Sequence, residues 1–148
     1  MTLEQTLASL PVEQWRIGQV YALEYYDGPR EGVCALTTPA AEFYFKLLDE
    51  RCNPDGLDDR LFRLSELPPG SVEEILSLVP DFRSPVEAVR SGADERLELL
   101  IARRRPTSLV VYSQDLEHFL GCWNTEKMGK DVTDWFAVLG IQVRAETP

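Results

Sequence analysis

The chain has 148 residues, 44% of them hydrophobic and 27% charged. That balance suits one globular domain, large enough to bury about 70% of its unfolded surface without metals or disulfides. Its 25 acidic residues against 15 basic ones give a formal net charge of −10, which argues against the phosphate neutralisation on which nucleic-acid binding depends.

Taken in chain order, Thr2 and Gln5 make a capping-box pattern for a short N-terminal helix that Pro11 ends. Ile17 to Tyr26 is rich in β-favouring residues, DGPREG is a turn by composition, and VCALTT returns, giving a first β-hairpin. Thr38-Pro39 then reads as an N-cap followed by a proline at the first helical position. On a helical wheel Ala40, Ala41, Phe43, Tyr44, Phe45, Leu47 and Leu48 fill a broad apolar arc, which predicts a buried central helix. RLFRLSEL, residues 60–67, is expected to be a short strand.

A further helix is expected from Ser71 as N-cap, with Glu74 closing a capping box and Pro80 limiting its length. Ser84-Pro85 repeats the start signal ahead of Leu97, Leu100 and Ile101 at helical spacing. SLVVYSQ and HFLGCWN make a second hairpin. Asp131 caps a last helix, Gly140 ends it, and IQVRAE closes as a strand. The order predicts a single α+β domain over residues 1–148: an antiparallel sheet of about five or six short strands with helices mainly on one face. Both halves contain strand-strand-helix-strand, yet the residues show no self-similarity that would make this a duplication.

The densest group of reactive residue types is SLVVYSQDLEHFLGCWN, residues 108–124. Simple alternation puts His118, Leu120, Cys122 and Asn124 on one face, with Phe119, Gly121 and Trp123 on the other. His118 and Cys122 are then about 13 Å apart along the strand, too far for a thiolate–imidazole pair. The three cysteines, Cys34, Cys52 and Cys122, are odd in number and scattered, as suits free thiols. With one histidine they cannot supply the paired spacing of a zinc site. NPDGLDDR, residues 53–60, fails as a calcium loop because the first and last ligand positions fall on Arg51 and Phe62. No phosphate-binding loop, dinucleotide fingerprint or hydrolase elbow occurs. No cofactor and no metal are expected.

Other features point to surfaces. Tyr25 and Tyr26 are expected on opposite faces of a strand, with an exposed Tyr26 beside Asp27 suiting a binding surface. Asp55, Asp58 and Asp59 add an acidic turn. Trp123 and Asn124 lead into the polar loop NTEKMGK, the first place to look for a pocket. Arg103-Arg104-Arg105 reads as cations complementing a helix C-terminus, with phosphate or acidic-partner binding as the alternative. Up to Phe82 there are 15 acidic and 6 basic residues, against 10 and 9 after it.

These features predict a protein that acts by binding a partner protein with a basic surface, as an inhibitor, an immunity-type protein or an adaptor. The alternative is a small-molecule-binding or hydrolytic domain, in which His118 works with Asp115 or Glu117 in a cleft beside the second hairpin. No run approaches the ~18 apolar residues of a membrane helix, and the N-terminus lacks signal-peptide character, so the expected compartment is the cytoplasm, with no membrane partner.

Overall fold

The computed structural model describes residues 2–78, 94–128 and 132–143. Six strands, β1 (Arg16–Tyr25), β2 (Pro29–Thr38), β3 (Ala40–Arg51), β4 (Asp59–Leu67), β5 (Ser108–Ser113) and β6 (Phe119–Asn124), form one antiparallel sheet in sequence order. Helices α1 (Leu3–Ser9), α2 (Ser71–Leu78), α3 (Asp94–Ala102) and α4 (Trp135–Leu139) complete the α+β fold. The capping box is present: Gln5 donates its amide to the Thr2 hydroxyl, and Thr2 donates its own to the Gln5 side chain.

The largest departure from expectation is β3, which is a strand and not the central helix. Phe43 (1% exposed) and Phe45 (0%) point to one face, and Tyr44 (9%) to the other. A strand buried on both faces reads as a continuous apolar run, and such a run also fills a wide arc on a helical wheel. The Phe-Tyr-Phe triplet is the β-favouring feature that the wheel hides. Pro39 lies in the tight β2–β3 turn after a cis Thr38–Pro39 bond, so it starts no helix.

Alternation divides the core into two faces. On the first, Cys34, Leu36, Phe43, Phe45, Phe62, Leu64, Leu109 and Val111 form one apolar cluster, closed by Leu3 of α1 and by Trp15. The sheet curls enough for the Trp15 and Phe119 rings to meet edge to face, 6.0 Å between centroids. On the second face two separate clusters form. Leu23, Val33, Tyr44 and Leu67 pack under α2 and α3, while Leu61 and Val110 pack under Phe136 of α4. Among the described residues, three of the four α-helices therefore lie on one face, as the sequence predicted.

Local capping differs from the expected pattern at α2. The Gly70 amide just before the helix and the Val72 amide in its first turn donate to the Glu42 carboxylate on β3 at 2.6 and 2.7 Å, so a strand side chain supplies the acceptor expected from Ser71. Ser71 instead donates its hydroxyl to the Pro68 carbonyl. At α4 the N-cap is Asp134, accepting from the Ala137 amide, and Gly140 ends the helix in the left-handed region at φ 68°. Asp131, expected as that cap, lies outside the described residues, as do Pro80, Ser84-Pro85 and residues 144–146 of the expected final strand. Ile141–Val143 are not in a strand. No helix among the described residues is long and apolar enough to cross a membrane.

Candidate functional site

A six-strand meander puts alternate loops at the same end of the sheet. The β1–β2 turn (residues 26–28), the β3–β4 loop (52–58) and the β5–β6 turn (114–118) therefore share one end. The first is a tight Asp-Gly turn, with Asp27 at φ 54° and Gly28 at φ 120°, the positive angles such hairpins demand. The strands feeding this end carry arginines that tie the loops together. Arg60, whose side chain is 12% exposed, donates to the Asp27 carbonyl at 2.6 Å, the Gln114 carbonyl at 3.4 Å and the Glu50 carboxylate at 3.3 Å, with Asp58 at 3.8 Å. Arg30 joins the network through Glu50 at 2.9 Å and through the Tyr26 carbonyl, while its guanidinium lies over the Tyr26 ring. Three loops thus share one guanidinium, which fixes their relative positions.

The outward surface of this end is acidic and partly apolar. Asp27, Asp55, Asp115 and Glu117 are exposed and Asp58 is half-buried. Tyr25 (46% exposed), Tyr26 (72%) and Leu57 (57%) stand among them. The two tyrosines do not divide between core and surface as expected, because β1 ends at Tyr25 and Tyr26 already belongs to the turn.

Asp59, expected on the acidic surface, is instead fully buried. Its Oδ1 accepts from the Tyr112 hydroxyl and the Gln114 amide, and it serves the interior at the start of β4. Trp123 and Asn124 lie at the opposite end of the sheet. Asn124 caps a short 3₁₀ turn by accepting from the Glu126 amide, and the Trp123 indole lies across Gly121, where a Cβ would come within 2.3 Å of the ring. The expected binding residues therefore separate into a loop-end group of Tyr26, Asp27, Asp55 and Asp58, a buried Asp59, and a remote pair.

Asp115, Glu117 and His118 sit together on the β5–β6 turn. Leu116, in the left-handed region at φ 61°, is held there by its buried side chain, which is 1% exposed in the apolar cluster. The Asp115 carboxylate accepts from the Glu117 and His118 amides at 2.8 and 3.1 Å, and His118 Nδ1 is 3.6 Å from its other oxygen. Partial burial opposes the charged form of Asp115, but these two amides and the His118 ring outweigh it and hold the carboxyl below its usual range. One ligand atom from each of the three residues lies within 4.8 Å of the others, the one such trio among the described residues. All three are exposed, and one Asp115 oxygen is already committed to two amides, so the set resembles a surface turn more than a closed metal site. Between this turn and β1 runs a groove of about 550 Å³, which Gln19, Val20 and Tyr25 also line.

The second strand of this hairpin does not alternate as expected. Ser113 pairs with Phe119 but Tyr112 with Gly121, so Leu120 is extra and lies 56% exposed. This bulge brings Phe119 and Cys122 to the same face, packed in or against the apolar cluster. Burial pushes the Cys34 and Cys122 thiols up to about 12, so neither is a nucleophile at neutral pH. Cys52, on the β3–β4 loop, is exposed.

Sequence reasoning missed Arg60, Arg30 and Glu50, whose roles come from strands distant in sequence. It also missed Leu57, an apolar residue at the tip of a polar turn, which was legible in NPDGLDDR. Comparison with protein-family models, with curated proteins and with solved structures finds no match in any of the three.

Proposed function

We propose that this protein acts by binding another protein with a basic surface, as an inhibitor, an immunity-type protein or an adaptor, and that the loop end of the sheet is the contact. The observation that carries the reading is the exposed Tyr25, Tyr26 and Leu57 among Asp27, Asp55, Asp58, Asp115 and Glu117, at an end of the sheet whose loops are pinned by the largely buried Arg60 guanidinium. Exposed aromatic rings supply anchor area, and carboxylates around them steer a basic partner and make association salt-dependent. Pinned loops lose little freedom on binding.

The test is capture from source-cell lysate with tagged protein, washed at low and high salt, in parallel with Tyr26→Ala and Asp27→Asn. A stoichiometric basic partner, released by salt and lost with both variants, supports the reading. Empty captures at both salts, or binding indifferent to both variants, overturn it. The groove beside His118 favours a second reading, a small-molecule-binding or hydrolytic site using His118 with Asp115 or Glu117. His118→Ala would abolish such an activity and leave partner capture intact.

A further inference from the structure

The second face of the sheet is not fully covered. Between α3 and the segment after β6 lies an open groove of about 590 Å³. Its floor includes Arg63 and Ser65 of β4 and Ser108 of β5, which share one face because Ser65 pairs with Ser108 and Arg63 with Val110. Arg104 and Arg105, just past α3, line it from one side, and Thr125 and Met128 from the other. In a chain of net charge −10, three guanidinium groups at one depression are a strong local reversal of sign.

Two of the three cations are held in place without being neutralised. The Arg63 guanidinium lies over the Trp135 ring at 5.6 Å, and that of Arg104 over the Tyr44 ring at 5.5 Å. Stacking on a ring fixes the plane of a guanidinium and leaves in-plane donors for an anion; Arg104 Nη1 also donates to the Ile101 carbonyl at 3.2 Å, which leaves its remaining donors for that role. Neither arginine has a carboxylate within 4.0 Å among the described residues, whereas Arg105 is paired with Glu66 at 3.1 Å. Arg63 Nε is shut off from solvent and has no hydrogen-bond partner among the described residues. Ser65 and Ser108 are only 6% and 5% exposed. The Thr125 hydroxyl donates to the Ser108 carbonyl at 3.1 Å and accepts from the Ser108 hydroxyl at 3.1 Å, so these two hydroxyls satisfy each other beside the cations.

We propose that this groove binds the phosphoryl group of a small phosphate monoester, with Arg63 and Arg104 as its principal cations and the organic part against Met128 and Pro106. Planar guanidinium donors match the oxygens of a phosphoryl group, and the Ser65 hydroxyl, unlike those of Ser108 and Thr125, has its proton available for a remaining oxygen. The volume falls in the range of small-ligand sites. The site is independent of the loop end, and its failure would leave the partner-binding reading untouched.

The test is calorimetric titration of the full chain with phenyl phosphate and, separately, with inorganic phosphate at matched ionic strength, with side-chain NMR of the arginine Nε–H signals. Saturable phenyl phosphate binding that moves the Arg63 signal, and that weakens by about tenfold or more in both Arg63→Lys and Arg104→Gln, is the expected result. Arg63→Lys keeps the charge, and Arg104 follows the last turn of α3, so circular dichroism should show both variants folded. Absence of saturable binding in the folded wild type overturns the proposal, as does binding that neither variant weakens. Inorganic phosphate binding as tightly as phenyl phosphate overturns the ester assignment.

Discussion

The two faces of the sheet are made by the same strands, one residue out of phase, yet they have different characters. On the first face Phe43, Phe45, Phe62, Leu64, Leu109 and Val111 close into one apolar cluster sealed by α1 and Trp15. On the second face the apolar residues divide into two islands, one under α2 and α3 and one under α4, and a polar groove lies between. A continuous apolar face contributes stability, whereas an interrupted one leaves room for polar side chains where a ligand can reach them.

The comparison breaks most sharply at neighbouring positions. Phe45→Ala on the closed face should cost about 3–5 kcal/mol, because the side chain is wholly buried and its edge-to-face partner Phe62 loses contact. One pairing step away, Ser65→Ala on the groove floor should shift stability by less than about 1 kcal/mol. Denaturant unfolding of the two variants measures both. A Ser65→Ala cost as large as that of Phe45→Ala would mean that the groove floor is part of the packed core.

Arg60→Ala should rank next, at about 1–2 kcal/mol, since two loop carbonyls lose their donor and Glu50 keeps only Arg30 of its two guanidinium partners. Its second effect sharpens the comparison of sites. The three loops would lose their common tie, so partner capture at the loop end should weaken while phosphate-ester binding in the groove is unchanged. Equal loss at both sites would show that the variant acts through global unfolding.

How much of this was legible in sequence depends on whether the signal was local. The two hairpins, the Thr2–Gln5 box and Gly140 as a helix stop all rest on short-range chemistry and are found as expected. The β3 strand was misread because an element buried on both sides carries no clean period. The Leu120 bulge has no local sign, and it reverses the expected faces of Phe119 and Cys122 relative to each other. The loop end was half visible: Tyr26, Asp27, Asp55 and Asp58 could be named, but that their loops share an end follows from strand order alone. Arg63 gave no signal, because its place in the groove depends on α3 and α4 covering the sheet on either side.

Thiol chemistry gives a smaller effect on the same contrast. Cys34 is wholly buried in the closed face and Cys122 is packed against it, each thiol pushed up to about 12 by burial. At neutral pH a maleimide or disulfide reagent should label Cys52 quickly and the other two only on unfolding. Fast labelling of Cys122 in the native protein would mean that β6 opens readily and that the closed face is less closed at its edge.

The smallest expected effect lies at α4, whose Trp135 backs Arg63. The Asp134 carboxylate caps the helix, and the Ala137 amide, opposed by desolvation and helped by Arg51 at 2.8 Å, holds its pKa below the ordinary value of 3.8. A carboxyl with a lowered folded-state pKa favours the docked helix at every pH above the unfolded value, and that contribution disappears as pH falls through the folded value. Above pH 5 the Trp135 indole resonance should therefore stay constant, and it should shift only in the acid range below 3.8. Asp134→Asn keeps an oxygen for the amide but has no proton to gain, so it should flatten that acid transition. If the wild-type resonance moves between pH 5 and 7 instead, another group governs α4, and the groove next to it would open and close near neutral pH.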